Sequence, residues 1–417
     1  MESELLALAV EARVRCADRM GMAKLAKAAF DGHDLKPLSD SLIAKMLDGT
    51  AEAGEGLDVA LIAQLLGDKP AGLAIQHEVL ASHQLFRSPC RSETPRLRVL
   101  ALAAATDMGS NTPIEFLLED FDIELMILHV IPEAELPSPL PDHDLAIVIA
   151  SDSEDCQHAL RRIDEVVTRW PRPLLNPPRL IWNLDRDKLY RLLANVEGLV
   201  IPATISAGRA GLFEVAEERA SLETIADGLV FPIIIRPRGS HAGIGLAKVD
   251  DAIELSLYLD EQEEQEFFVA GFVDYASEDG LFRKYRVVFV DGQPYACHMA
   301  IANRWDIWYL NAGMGGSESK QREEATFMQT FDIGFGRRHR TALAAIAGHV
   351  GLDYFIIDCA ETKEGALLVF EADNTAVVHN MDHADVFPYK PPQMQKVFAA
   401  FAAMLERRVA QAREQAA

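Results

Sequence analysis

Hydrophobic positions recur with a helical period over the first part of the chain and with mixed strand and helix periods over the rest. Up to about residue 87, apolar side chains fall on one face of successive helices, for example Leu5, Leu8, Val10 and Val14. Runs of β-branched residues are rare in this part of the chain. From Val99, short apolar runs alternate with helical patterns. This alternation predicts a small parallel α/β unit.

The changes of pattern divide the 417 residues into three expected units. Residues 1–90 are expected to form a helical module, 96–182 the α/β unit, and 183–417 an α+β region with tight hairpin turns. The polar segment 88–95, with two prolines, suits a linker. If it separates two cores, residues 1–90 could be removed without loss of ligand binding elsewhere.

The charge balance excludes some classes of partner. Forty Lys and Arg against 64 Asp and Glu leave a formal net charge of −24. Such a surface repels nucleic-acid phosphates and anionic membranes, so neither is expected as a partner. No apolar stretch approaches the ~20 residues of a membrane span. The five cysteines form no CxxC pair, and the first residues lack a basic leader, so a cytoplasmic location is expected.

A glycine-rich turn between two strands is the first candidate site. The apolar run that starts at Phe231 ends in Arg236, passes through a glycine loop and returns as a strand. Glycines let backbone amides approach phosphate oxygens, and an arginine can neutralise their charge. The loop residues that would do so are Gly239, Ser240, His241, Gly243 and Gly245. No helix follows, so this is neither a Walker loop nor a dinucleotide fingerprint, and a structural β-turn remains the alternative.

Three carboxylates near one strand end form the second candidate site. A tight turn at 363–365 places Asp358 near Glu371 across a hairpin, and Asp373 shares a face with Glu371. Hard oxygen ligands of this kind hold Mg²⁺ beside substrate phosphates. The alternative is a solvated acidic strand end. The apolar run 367–370 predicts a buried strand, where unpaired carboxylates would be costly, and so favours a metal.

A run of aromatic and polar residues after residue 294 supplies candidates for substrate contacts. His298 would be an acceptor contact or a base, with a satisfied structural histidine as the alternative reading. Arg304 lies in the same run. His379 and His383, four residues apart, would line a substrate pocket rather than hold a separate metal.

The order of these motifs resembles the ATP-grasp superfamily, in the branch with glutathione synthetase and the ribosomal-protein glutamate ligases. The resemblance covers about 99–379 and implies a pre-ATP-grasp α/β domain followed by a two-lobed ATP-grasp domain, here with an extra N-terminal helical module. The motifs that carry it are Asn183 to Lys188 with Ile201-Pro202-Ala203-Thr204, Ile235-Arg236-Pro237 with the glycine loop, Arg283-Lys284-Tyr285-Arg286, and Asp358 with Glu371-x-Asp373. Where the family usually has Lys and Asn, this chain has Arg236 and Asp373, and its glycine loop is one residue longer.

The resemblance implies ATP and Mg²⁺ as cofactors, with Mn²⁺ as the alternative ion. Phosphate contacts are implied for Lys188, Arg236 and the glycine loop, and Arg286 would steady the γ-phosphate or an acyl-phosphate. Backbone contacts to adenine are implied at a hinge formed by Val269, Ala270, Gly271 and Phe272. The implied metal ligands are Asp358, Glu371, and Asp373 or Asn374.

The activity implied by the resemblance is a two-step ligation. ATP would phosphorylate a small-molecule or peptide carboxylate, and an amine or other nucleophile would attack the acyl-phosphate. A kinase on the same fold and an ATP-binding regulatory or scaffolding protein are the alternatives. The three carboxylates argue against a pure binding protein. A protein partner for the N-terminal helices and a homodimer stay open.

Overall fold

The computed structural model describes residues 15–132, 134–240 and 243–416. Leu5, Leu8, Val10, Val14 and the glycine-loop residue His241 lie outside the described residues. The strands are β1 Ala17–Asp18, β2 Leu85–Arg87, β3 Leu97–Ala104, β4 Ile123–Val130, β5 Leu145–Val148, β6 Leu174–Leu175, β7 Leu199–Val200, β8 Thr204–Gly208, β9 Ile233–Pro237, β10 Ala247–Val249, β11 Glu266–Gly271, β12 Phe282–Val290, β13 Gln293–Ala302, β14 Tyr354–Glu361 and β15 Leu367–Asp373.

Helices cover the faces of the sheets formed by these strands. Their bounds are α1 Met22–Phe30, α2 Lys36–Leu47, α3 Ala53–Leu65, α4 Lys69–Ser82, α5 Glu115–Leu118, α6 Gln157–Asp164, α7 Pro178–Ile181, α8 Arg186–Leu193, α9 Arg209–Ala216, α10 Ala252–Glu261, α11 Glu318–Gln329, α12 Phe335–Arg338, α13 Arg340–Val350 and α14 Lys390–Ala416. Among the described residues, none of these helices combines the length and the apolar character that a bilayer crossing needs.

The first sheet has the strand order β1-β2-β4-β3-β5-β6, and the pairs β4–β3, β3–β5 and β5–β6 are parallel. Helices cover a parallel sheet on both faces, so its strands read as continuous apolar runs. In β3 every residue except Arg98 is buried, as this rule requires. The α/β unit that the alternating pattern predicts is therefore present.

The N-terminal segment joins this sheet directly, which the sequence pattern did not indicate. Strand β2 pairs antiparallel with β4, and β1 pairs parallel with β2. Helix α3 passes so close to β1 that a Cβ on Gly54 would lie 1.9 Å from the carbonyl oxygen of Asp18, so only glycine fits there. The boundary at residue 90 stays a prediction, but the segment before it supplies two strands to the next unit.

Two further sheets form the lobes of the α+β region. The smaller sheet is antiparallel, with the order β10-β9-β11-β8, and helices α9 and α10 close its own apolar core. The larger sheet has the order β13-β12-β14-β15-β7, antiparallel except for β7, and its core is continuous with that of the first sheet. The predicted α/β and α+β fold class with two lobes is confirmed.

Candidate active site

Four of the predicted site residues lie side by side across the larger sheet. The strand register places His298 opposite Arg286, Arg286 opposite Asp358, and Asp358 opposite Glu371. Directly opposed residues on antiparallel strands point to the same face, so these side chains form one row across four strands. We call this set the catalytic row, after the role that the family resemblance implies for it.

Two irregularities in the ladder flank the catalytic row. The register skips Cys297 on β13 and Phe370 on β15, so each strand carries one extra residue beside the row. Extra residues of this kind bend a strand and re-aim the neighbouring side chains, and they are common next to active sites. The row therefore sits where the sheet departs from regular pairing.

Asp358 is held by two cations. The Arg286 Nε and Nη2 atoms donate to its carboxylate at 2.8 and 3.1 Å, and the Lys284 Nζ atom lies 2.7 Å from Asp358 Oδ2. Only 2% of the Asp358 side chain is exposed. Burial acts to raise its pKa, but the charges of Arg286 and Lys284 hold the pKa of Asp358 well below its usual range. The carboxylate is therefore ionised and orients both cations.

Glu371 is paired with a residue that the sequence analysis did not select. Arg186, the first residue of α8, donates from Nη2 to Glu371 Oε2 and from Nη1 to the carbonyl oxygen of Phe370 at 3.3 Å. Burial opposes ionisation, yet the attraction of Arg186 lowers the pKa of Glu371. Lys188, the predicted phosphate ligand on the same helix, is exposed. The α8 side chain that reaches the row is therefore Arg186, which lies two residues before the family-like lysine.

The three predicted metal carboxylates are each held by partners of their own, so their role as metal ligands stays a prediction. In the described part of the chain, no three His, Cys, Asp or Glu side chains already lie close enough to hold an ion. The reason is electrostatic, because Asp358 turns to Lys284 and Arg286 while Glu371 turns to Arg186. The hairpin does bring Asp358 and Glu371 together, as predicted.

The end of β15 nevertheless offers oxygen ligands of the kind that Mg²⁺ prefers. Asp373 accepts from the backbone N and Oγ1 of Thr375 at 2.6 and 2.9 Å, and burial raises its pKa. Asn374 is 1% exposed and donates from Nδ2 to the carbonyl oxygen of Ala150 at 2.9 Å. Within the described residues its Oδ1 atom has no partner. An amide oxygen without a partner among the described residues, next in sequence to Asp373, is a ligand type that suits a divalent cation.

Asp152 is a further acidic residue at this place that sequence reasoning missed. It follows β5 in the loop at the carboxyl edge of the parallel sheet. Burial, and then the nearby carboxylates of Asp373 and Asp185, raise the pKa of Asp152 to about 7. The charge of Arg186 opposes this rise only in part. The position of Asp152 after an apolar strand was the only signal in the sequence.

Arg236 faces the row from the smaller sheet. Its Nε atom donates to Ser240 Oγ at 3.0 Å, and Nη2 donates to the Ser240 carbonyl oxygen. Burial and the charge of Arg186 lower the pKa of Arg236 to about 10. The hydrogen bonds described for Arg236 thus go to neutral acceptors, which is expected of an arginine that binds an anionic ligand.

The glycine loop has the backbone conformation that its sequence predicts. Gly239 and Gly243 have φ of +77° and +76°, and among the described residues nothing lies within 4 Å of a Cβ on either one. Gly245 has φ of +65°, and a Cβ there would lie 2.6 Å from Pro237 Cδ. The loop leaves room for a phosphate, although its contacts to one stay a prediction.

The predicted hinge is less free than expected. Strand β11 is central in the smaller sheet. Val269 and Ala270 are paired with β8 on one side and β9 on the other, so their backbone groups already take part in the sheet. Adenine contacts from them therefore gain no support, while Gly271 and Phe272 lie at the strand end. The Phe272 ring packs edge-on to Trp305 of the larger lobe with centroids 6.0 Å apart. Lys248 Nζ lies 5.1 Å from the centroid of the Phe272 ring.

Of the two predicted substrate residues, only His298 joins the row. Its ring packs on Tyr309 at 4.7 Å, and burial with the charges of Arg286 and Lys390 holds the pKa of His298 well below its usual value. Its imidazole is therefore neutral. Arg304 instead pairs with Asp306 on an exposed loop, and its side chain is 56% exposed. The structure does not bring Arg304 to the row.

Neither a family model nor a curated protein matches this sequence. Several solved structures resemble it. An ATP-grasp RimK domain protein of Sphaerobacter thermophilus shares 17% identity over 75% of this chain and 99% of its own, with a TM-score of 0.43. The VanG D-Ala:D-Ser ligase of Enterococcus faecalis shares 11% over 74% and 100%, with a TM-score of 0.46. A D-alanine–D-alanine ligase of Bacillus anthracis shares 12% over 76% and 99%, with a TM-score of 0.45.

Proposed function

We propose that this chain is an ATP- and Mg²⁺-dependent ligase of the ATP-grasp type, which activates a carboxylate as an acyl-phosphate and joins it to an amine. The observation that carries the proposal is the convergence of cations from both lobes on the catalytic row. Arg236 comes from the smaller sheet, and Arg186, Lys284 and Arg286 come from the larger lobe. Phosphoryl transfer depends on positioning and charge neutralisation, which is what such a set provides.

The nucleotide phosphates would lie between the glycine loop and the row. Arg236 is already buried, so an anion that pairs with it meets a charge that water screens little. Across the same cleft, Arg238 Nη2 lies 2.8 Å from Asp185 Oδ2, just before α8. This ion pair ties the glycine-loop strand to the larger lobe and would hold the cleft closed over the phosphates.

Mg²⁺ would be held by Glu371, Asp373 and Asn374, because they combine carboxylate oxygens with an amide oxygen that has no partner among the described residues. When bound, the ion would neutralise charge on the transferring phosphoryl group. Asp358 has a different role in this proposal. Its carboxylate holds Arg286 and Lys284 in place, so that their remaining donors face the carboxylate substrate and then the acyl-phosphate.

The amine would be received at the other end of the row. His298 is neutral, lies opposite Arg286, and among the described residues has no partner for its Nδ1 atom. A neutral imidazole there would accept a hydrogen bond from the amine and orient it for attack on the acyl carbon. The acid and the amine would be small molecules or peptide ends. A cytoplasmic location, a partner for the N-terminal helices and a homodimer stay predictions.

Hydroxylamine provides a direct test, because it traps acyl-phosphates as hydroxamates whatever the natural amine is. The protein is incubated with ATP, Mg²⁺, hydroxylamine and a panel of amino acids and short peptides. We expect ADP and a hydroxamate to form together, and ATP to raise the melting temperature more than GTP does. Arg286→Gln should abolish both products, whereas Arg304→Gln, the matched change outside the row, should not.

The other candidate functions give different results in the same assay. ADP with a phosphorylated product and no hydroxamate would identify a kinase. A melting shift with ATP but no ADP would identify a binding protein. No shift at millimolar ATP would remove the nucleotide assignment itself.

A further inference from the structure

A cavity of about 60 Å³ lies between the N-terminal helices and the first sheet, outside the cleft just described. Helices α3 and α4 form one wall, and the carboxyl ends of β3, β4 and the chain after β5 form the other. Ligands of open α/β sheets bind at the carboxyl edge of the strands. At roughly 15 Å³ for each water, the space suits a molecule of about four heavy atoms.

Most of the cavity wall is apolar, but two polar side chains of the wall have unused hydrogen-bonding groups. Among the described residues, neither ring nitrogen of His129 meets the geometry of a hydrogen bond, although the backbone of Ala104 lies close to the ring. Burial and the charge of Arg19, offset in part by the backbone of Ala104, lower the pKa of His129 to about 3. The ring is therefore neutral near pH 7 and presents one N–H donor and one acceptor.

Arg19 is the second of these groups. Its side chain is 7% exposed, and in the described part of the chain its guanidinium makes one hydrogen bond, from Nε to Asp58 Oδ1 at 3.3 Å. Arg19 lines the cavity, and its two Nη groups make no hydrogen bond within the described residues. A guanidinium fork matches the two oxygens of a carboxylate.

The acidic groups around the cavity already have hydrogen-bond or ion-pair partners. Asp58 also accepts from the backbone N atoms of Met20 and Gly21 at 2.6 and 3.3 Å. Glu115 accepts from Ala23 N at 2.9 Å and from Ser88 Oγ at 2.8 Å. Asp107 is paired with Lys69 Nζ at 2.5 Å. Arg19 and His129 therefore remain as the donors for a ligand.

We propose that this cavity binds a small carboxylate, with its oxygens on the Arg19 guanidinium and a hydrogen bond from the His129 ring. Its walls are the N-terminal helices and the parallel sheet, so the site exists only because the N-terminal segment docks there. One wall residue, Thr112, donates from Oγ1 to the carbonyl oxygen of Asn374 at 2.6 Å. A bound carboxylate would therefore touch the same loop that supports the end of β15.

The test uses the full chain without nucleotide, so that failure of ATP binding does not affect it. Saturation-transfer NMR and melting curves are recorded with acetate and propionate, and with acetamide and methylammonium as neutral and cationic probes, at matched ionic strength. We expect the carboxylates alone to bind. Arg19→Lys keeps a charge for Asp58 but loses the fork, and His129→Leu removes the ring donor. Each should weaken acetate binding about tenfold or more.

Arg91→Lys is the matched control, because Arg91 is exposed and outside the cavity, and it should leave acetate binding unchanged. Two cavity variants are used so that a folding failure of one leaves the other as the test. Equal binding of acetamide would overturn the proposal in favour of a merely apolar cavity. Preference for methylammonium would show that Asp58 and Glu115 dominate. If acetate binding survives both substitutions but is lost when ATP is added, the carboxylate binds in the nucleotide cleft instead.

Discussion

At the scale of single residues, the buried carboxylate of Asp358 is paired with two cations, Lys284 and Arg286. We expect Asp358→Asn to lower the free energy of unfolding by about 3 kcal/mol, because it leaves Lys284 and Arg286 without their partner at a mostly buried position. Urea unfolding measures this. Asp40→Asn is the matched control, since Asp40 pairs with Lys36 on the surface, and it should cost less than about 1 kcal/mol.

The interaction of Asp358 with Lys284 and Arg286 also predicts how the stability depends on pH. The folded pKa of Asp358 is depressed, so its contribution is fully present above the unfolded value of about 3.9 and is lost as the pH falls through the folded pKa. Melting temperatures between pH 7 and pH 2 should therefore fall less steeply below about pH 4 in Asp358→Asn than in the unmodified chain. If the melting temperatures of both chains fall equally steeply below about pH 4, the ion pair of Asp358 contributes nothing to stability.

Glu371 and Asp373 should differ in their effect on catalysis. Glu371→Gln removes a charge from the proposed ion site and leaves Arg186 unpaired, so ADP formation should fall by two orders of magnitude, about 2.7 kcal/mol of barrier. Asp373→Asn keeps an oxygen for the Thr375 contacts, so its effect should be mild. The hydroxylamine assay compares them. Normal turnover in Glu371→Gln would place the ion elsewhere.

At the scale of elements, the glycine loop joins β9 to β10 and carries the proposed phosphate contacts. Alanine at Gly243 should cost about 1 kcal/mol for the left-handed backbone alone, because among the described residues nothing lies within 4 Å of its Cβ. Alanine at Gly245 also meets Pro237, so the loss of stability should be larger by about 1 kcal/mol or more. Urea unfolding of the two variants checks the order, and a reversed order would contradict the loop geometry.

The catalytic row is also a property of elements. Within its own strand, each residue of the row reads as one more polar position in an apolar pattern. Pairing of β12 with both β13 and β14 brings Arg286 between His298 and Asp358, and the skipped residues on β13 and β15 set the local twist. Register decides which side chains meet across a sheet, and it depends on all the strands at once.

At the scale of the whole molecule, the docking of the N-terminal segment revises the expectation that residues 1–90 can be removed. Strand β2 covers the edge of β4, so a chain that starts at residue 96 would expose an unpaired strand edge. We expect that chain to be poorly soluble, and one that starts at Gln84 to be more soluble but less stable than the full chain. Expression and melting curves decide this. Equal stability of all three would restore the independent module.

Local pattern determined the alternation of strands and helices, the two-lobed α+β region, the glycine loop and the acidic hairpin. These features depend on period, turn residues and spacing along one segment, which a sequence displays directly. The prediction that Asp358 and Glu371 meet across a hairpin is confirmed for the same reason, since the turn between them is short. The roles of these residues toward ATP and Mg²⁺ stay predictions.

Only the tertiary structure decided which charges meet. Arg186 rather than Lys188 reaches Glu371, Lys284 joins Arg286 on Asp358, and Arg304 stays on the surface. Asp152 comes from the α/β unit and lies near Asp373 of the larger lobe. In the same way, helices α3 and α4 of the N-terminal segment cover the cavity at His129. Ion pairs act over a few ångströms between segments far apart in sequence. Their partners are therefore set by how the sheets and helices pack.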